Sequence, residues 1–169
     1  MKIKDITAFP IRVPRVDDAE GTHADRPPVI DLGDYYVDAE AFTSIYSKYH
    51  QTTVIRIETD TGIVGWGEAQ SPVSPRTTQT IIEDLVRPLI LGRDPFDIEA
   101  IWTRNYGAMR ERGHPTGFYV DAIAGTDIAL WDIVGKATDK PVHKLAGGRY
   151  RDRIKLYAGV GGTDPEKVA

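Results

Sequence analysis

The sequence predicts an α+β domain that runs into the opening of an α/β one. Three observations carry that prediction. Strand-like alternation occurs near the N-terminus and again from Thr52 to Ala69, broken there by Asp60-Thr61-Gly62. Apolar stripes of helical period follow between Ser74 and Thr138. Beyond Gly148 the pattern changes once more, to a strand-like run and a helix start. The expected fold is a three-stranded antiparallel sheet plus helices, followed by one strand of something larger.

The first strand is Lys2 to Val13, with Phe9, Ile11 and Val13 alternating most cleanly. Pro10 and Pro14 suit an edge strand or a strand end, because proline cannot donate to a ladder. Arg15 to Tyr49 is rich in aspartate, contains Pro27-Pro28 and has few aliphatics before Tyr35-Tyr36-Val37. It is expected to be a long surface loop, with room for a short turn of strand or helix inside. Thr52 to Thr59 and Ile63 to Ala69, joined at Gly62, form a β-hairpin.

Helices come next. Ser74-Pro75 opens the first, with Ile81, Ile82, Leu85, Val86 and Leu89 on one stripe and Gly92 closing it. Asp94-Pro95 starts the second, which carries Phe96, Ile98, Ile101, Trp102 and Tyr106. Gly113-His114-Pro115-Thr116-Gly117 breaks the chain before a third, from roughly Phe118 to Thr138. Asp139-Lys140-Pro141 stops it. Ile154 to Val160 then reads as a strand, and Thr163-Asp164-Pro165-Glu166 as a helix start. A βα opening of that kind needs a parallel partner, so the sequence reads as unfinished.

Composition excludes several classes of function. In 169 residues, 21 Lys+Arg stand against 25 Asp+Glu, a net charge of −4. An acidic balance is the wrong footprint for a nucleic-acid binder, although Arg149, Arg151 and Arg153 alternate with Tyr150 and Asp152. With no cysteine there is no disulfide, thiolate site or cysteine nucleophile. No apolar run spans a bilayer, so no membrane role is expected. The N-terminus, Met1-Lys2-Ile3-Lys4-Asp5, has charges where a signal peptide needs an apolar stretch, which points to the cytoplasm. Neither a Gly-rich phosphate loop nor a Gly-x-Ser-x-Gly elbow is present.

Among single residues, Trp66 between Gly65 and Gly67 is expected to be a core or interdomain aromatic, its glycines permitting close backbone approach. Glu68 suits a surface or interface salt bridge. Asp127 falls on the apolar stripe of the third helix, where an acid must be paired. It reads as an internal polar latch between helix and sheet, or between domains. His114 is expected to be a turn residue, and His143 receives no chemistry.

Three strings in this order resemble one family. They are Thr61-Gly62-Ile63-Val64-Gly65-Trp66-Gly67-Glu68-Ala69, Asp127-Ile128-Ala129-Leu130-Trp131-Asp132-Ile133-Val134-Gly135-Lys136-Ala137, and Lys140-Pro141-Val142-His143-Lys144-Leu145-Ala146-Gly147-Gly148. The chain resembles the mandelate racemase/muconate lactonizing enzyme group of the enolase superfamily. That resemblance implies an enolase-like N-terminal capping domain over residues 1–148. It makes residues 149–169 a linker and the start of a (β/α) barrel, with the first β-strand of a truncated TIM-like barrel.

The resemblance also implies a chemistry, abstraction of a proton α to a carboxylate. Mg²⁺ stabilises the enediolate in the full-length parent, and a Lys or His is the base. The family's catalytic lysines and acidic metal ligands lie on later barrel strands, so no catalytic residue and no metal ligand is assigned. This chain alone is expected to bind no Mg²⁺ and to be inactive. Two loops of the cap shape specificity in the family, and here they correspond to roughly Arg15–Tyr49 and Gln70–Pro75. Substrate-binding candidates within them are His23, Arg26, Asp31, Tyr35, Gln70 and Ser71. The polar first loop suits a hydroxyl-rich carboxylate, which favours a sugar-acid dehydratase over a racemase/epimerase or cycloisomerase of the same group. A non-catalytic α+β interaction module is the alternative from another class. The resemblance also admits a homo-oligomer.

Overall fold

The computed structural model describes residues 1–15, 29–38 and 42–157. Strands β1 (Ile3–Pro14), β5 (Tyr49–Thr59) and β6 (Val64–Ala69) form an antiparallel sheet in the order β1-β5-β6. The register sets Phe9 opposite Val54 and Arg56 opposite Trp66. Period-two alternation sends Ile6, Ala8, Ile55, Ile57 and Ala69 to a buried face. The other face carries Phe9, Ile11, Val13 and Trp66, all partly exposed.

Helices cover the buried face. The first is continuous in sequence but not in winding: α1 (Pro75–Ile81), a π-helical turn (Ile82–Val86) and α2 (Arg87–Ile90). Pro88 explains the irregularity, since it has no N–H for the carbonyl of Asp84 and its ring crowds that carbonyl. The turn ahead of it widens, and the Arg87 N–H bonds to Ile82 O instead. Helix α3 (Ile98–Arg110) begins three residues after Pro95, because Asp94 first takes the N–H of Phe96 in a local turn at 3.0 Å. Helix α4 (Phe118–Thr138) matches its predicted span, and Asp139 ends it in the left-handed region at φ 51°. A short α5 (Val142–Leu145) follows. Ile82, Val86, Ile90, Ile101, Ile123, Leu130 and Ile133 complete the core.

Both edges of this sheet are closed by side chains. Along β1, Gln79 Nε2 donates to Ala8 O at 3.1 Å and Arg87 donates to Ile6 O at 2.8 Å. Pro10 and Pro14 share that outer side by period two, so their missing N–H groups break no ladder bond. Along β6, Asp132 accepts the N–H of Trp66 at 2.8 Å, while Lys136 donates to Val64 O at 2.8 Å. Together they occupy the positions a fourth strand would take, which removes a pairing surface.

Two expectations change. The stretch expected to be a long loop contains a second antiparallel sheet of β2 (Val29–Leu32), β3 (Tyr35–Asp38) and β4 (Phe42–Ser47), in that order. Leu32 pairs with Tyr35 across a two-residue turn, and Gly33 supplies its positive φ of 78°. The strands escaped the sequence because they are only four to six residues long, with an aspartate inside β2 and another ending β3. At the other end, Ile154–Tyr157 form no strand, since no strand among the described residues lies beside them to share hydrogen bonds. The rest of that predicted strand and the helix start lie outside the described residues.

Candidate functional site

The second loop leaves the sheet at Ala69 and enters α1 at Pro75. Thr53 holds it at two points. Thr53 faces inward on β5 with no exposure, and its hydroxyl shares a hydrogen bond with Ser71 Oγ at 2.9 Å and donates to Pro75 O at 3.0 Å. Ser71 is itself buried and also reaches Ala69 O at 3.2 Å. Between the anchors, Ser74 adopts φ 51°, ψ 54°, and its hydroxyl lies 2.8 Å from Thr77 Oγ1. A non-glycine residue in that region is held there by its surroundings. Gln70, by contrast, is exposed.

The β2–β4 sheet stands beside this loop as a flap. Tyr35 joins the two: its phenol oxygen accepts the backbone N–H of Ser74 at 3.3 Å. At the flap's turn, Asp31 accepts the N–H of Gly33 at 2.8 Å and pairs with Lys48 at 2.8 Å. Lys48, and then the Gly33 amide, hold the Asp31 carboxyl below its ordinary range. Asp34 is lowered by Arg12, whose guanidinium also lies 3.5 Å from the centre of the Tyr49 ring. Tyr36 and Tyr46 stack at 5.5 Å on the opposite face from Tyr35.

Of the six candidate residues, Tyr35, Gln70 and Ser71 fall at the junction of the two loops, with Ser71 turned inward. Asp31 lies at the hairpin end, committed to Lys48 and Gly33. His23 and Arg26 lie outside the described residues. Thr53 and Ser74 were missed, although a threonine at an inward position between Gln51 and Ile55 is a legible sign of a buried polar partner.

Elsewhere the acids serve structure. Asp127 faces α3 rather than the sheet. It borders a cavity of about 10 Å³, at the lower limit for holding one water, with Ile101, Trp102, Asn105, Ile123, Thr126 and Leu130. Burial first, and Glu99 second, push its carboxyl above the ordinary range, while a hydrogen bond from Trp131 pulls the other way. The latch between helix and sheet is Asp132, not Asp127. Trp66 is 46% exposed, with its ring 6.4 Å from Phe9, so it is not a core residue within this chain. Glu68 accepts the Thr52 hydroxyl at 2.7 Å. His114 sits in a turn, its N–H bonded to Met109 O. Among the described residues no three His, Cys, Asp or Glu side chains gather closely enough to hold a metal ion. No described helix is long and apolar enough to cross a membrane.

Residues 39–147 match the family described as mandelate racemase/muconate lactonizing enzyme, N-terminal domain. A D-galactonate dehydratase of Pectobacterium atrosepticum is 48% identical over 114 residues, covering 68% of this chain and 29% of the relative. A member of the enolase superfamily from Agrobacterium tumefaciens superposes with a TM-score of 0.79 at 34% identity, covering 87% of this chain and 37% of that one. A mandelate racemase/muconate lactonizing protein from Paracoccus denitrificans PD1222, complexed with magnesium, gives 0.62 at 25% identity, over 89% and 31%. The chain thus spans about 29% of the length of that curated relative.

Proposed function

Since this chain belongs to the mandelate racemase/muconate lactonizing enzyme family of the enolase superfamily, whose N-terminal domain it carries, we propose that it is the capping portion of a sugar-acid dehydratase. The observation that supports this best is the 48% identity to a D-galactonate dehydratase over 68% of the chain. For the whole enzyme the proposed reaction is removal of a proton α to a carboxylate, where a bound Mg²⁺ would supply charge stabilisation. The described residues do not fit the ion, as no donor set gathers among them. None is therefore given a part in holding it or in moving the proton.

The role left to this chain is recognition. Residues 1–148 form the cap, and residues 149–169 are the linker and the beginning of the barrel. The flap and the loop after β6 stand over the substrate and read the hydroxyl-bearing end of the acid. Tyr35 and Gln70 are the nearest candidates for contact, with Asp31, His23 and Arg26 further along the first loop. Ser71 shapes the second loop from behind, through Thr53. A racemase/epimerase or cycloisomerase is the second reading, supported by the magnesium-bound racemase/lactonizing neighbour. A cytoplasmic location for the whole enzyme belongs to the same proposal, which also admits a homo-oligomer.

The division of labour is tested by incubating the 169-residue chain with Mg²⁺ and a panel of sugar acids in deuterium oxide. No deuterium is expected at the α-carbon. Exchange above the buffer rate would place the chemistry inside these residues and overturn the capping role.

A further inference from the structure

We infer that Tyr35 is a positioning residue, whose phenol ties the β2–β4 flap to the loop after β6 so that the two open and close as one body. The inference rests on assigning both stretches as substrate-facing loops. It starts from how little else holds the flap. Three short strands need a packed hydrophobic face or a covering helix to be stable on their own. Ile30, Leu32 and Ile45 on the flap are 54%, 50% and 54% exposed, so apolar burial contributes little to docking it. Apart from the chain link through Lys48, its attachment to the main sheet is polar: Arg12 pairs with Asp34, and Ser47 Oγ accepts the Tyr49 N–H at 3.0 Å and a hydrogen bond from Gln51 Nε2. Segments held this way open at low free energy.

The loop after β6 is the reverse case, pinned by Thr53 on both sides of Pro72–Ser74. Tyr35 donates no proton to this junction; its oxygen accepts the Ser74 N–H at 3.3 Å. That bond falls on the residue whose left-handed backbone must be held from outside. Lifting the flap removes an acceptor from Ser74, and relaxing Ser74 withdraws a donor from the flap. Coupling of this kind is reciprocal.

The test is amide hydrogen exchange on the full chain, read by NMR. In Tyr35→Phe, exchange at Ser74 and at the amides of β3 and β4 is expected to rise together, by about three- to tenfold for one net hydrogen bond. Core amides of Ile55 and Ile57 stay protected, which reports that the fold is intact. Arg12→Ala loosens the flap from its far side and is expected to raise exchange at Ser74 as well. Should Tyr35→Phe also lower core protection, the Arg12→Ala result decides alone. A response of Ser74 without the flap, of the flap without Ser74, or of neither overturns the coupling. No substrate enters the readout, so its failure is separate from failure of the dehydratase assignment.

Discussion

Two acids on α4, five residues apart, have opposite roles. Asp132 brings its carboxylate to the Trp66 N–H and is neutralised by Lys136 one turn on, at 2.6 Å. Asp132→Ala leaves an edge N–H of β6 without its acceptor and is expected to destabilise by about 1–2 kcal/mol in urea unfolding, given partial exposure. Asp127 points instead toward α3, Glu99 and the small cavity. Its folded-state carboxyl titrates above the ordinary range, so the folded chain holds this proton more tightly than the unfolded chain does. The resulting stability is present below the unfolded value and is lost as pH rises through the raised folded value. Asp127→Asn is expected to unfold at a higher denaturant concentration than the wild type at neutral pH, the gap narrowing in acid. A gap that widens in acid would reverse the sign. The apolar stripe drew attention to Asp127 because both share a helix face. Asp132 was illegible as a latch, since its partner is a backbone N–H in a strand 66 residues earlier.

At the scale of elements, the contact between β6 and α4 decides how closely the layers approach. A Cβ on Gly67 would fall on the carbonyl oxygen of Gly125, and one on Gly125 would sit 2.7 Å from Ala69 N and from Ile55 Cδ1. These are backbone or core atoms with little freedom to give. Gly67→Ala is therefore expected to destabilise by about 2–3 kcal/mol or more, read as a lower unfolding midpoint with unchanged denaturant slope. The need for small residues on both sides of Trp66 was readable from Gly65-x-Gly67, as were β1, the β5–β6 hairpin and the whole of α4. Each has at least six residues of one unbroken period. The flap was not readable, because period-two alternation over four residues with aspartate inside is no stronger than loop composition. Nor was the π-turn, which depends on Pro88 meeting a carbonyl rather than on any apolar pattern.

For the molecule as a whole, the core closes within residues 3–134, and the described part of the linker adds nothing to it: Tyr150 and Tyr157 are 91% and 96% exposed. Deleting residues 149–169 is expected to leave the thermal unfolding midpoint unchanged, and a large cooperative loss would instead favour a self-standing interaction module. A folded cap in which no donor set gathers among the described residues is expected to matter through the acid that its proposed recognition loops admit. Replacing the corresponding cap of a D-galactonate dehydratase with residues 1–148 of this chain, and measuring Mg²⁺-dependent dehydration across a panel of sugar acids that includes D-galactonate, tests that most directly. The chimera is expected to dehydrate at least one acid of the panel. A folded, Mg²⁺-binding chimera that leaves every acid of the panel untouched would contradict the capping assignment.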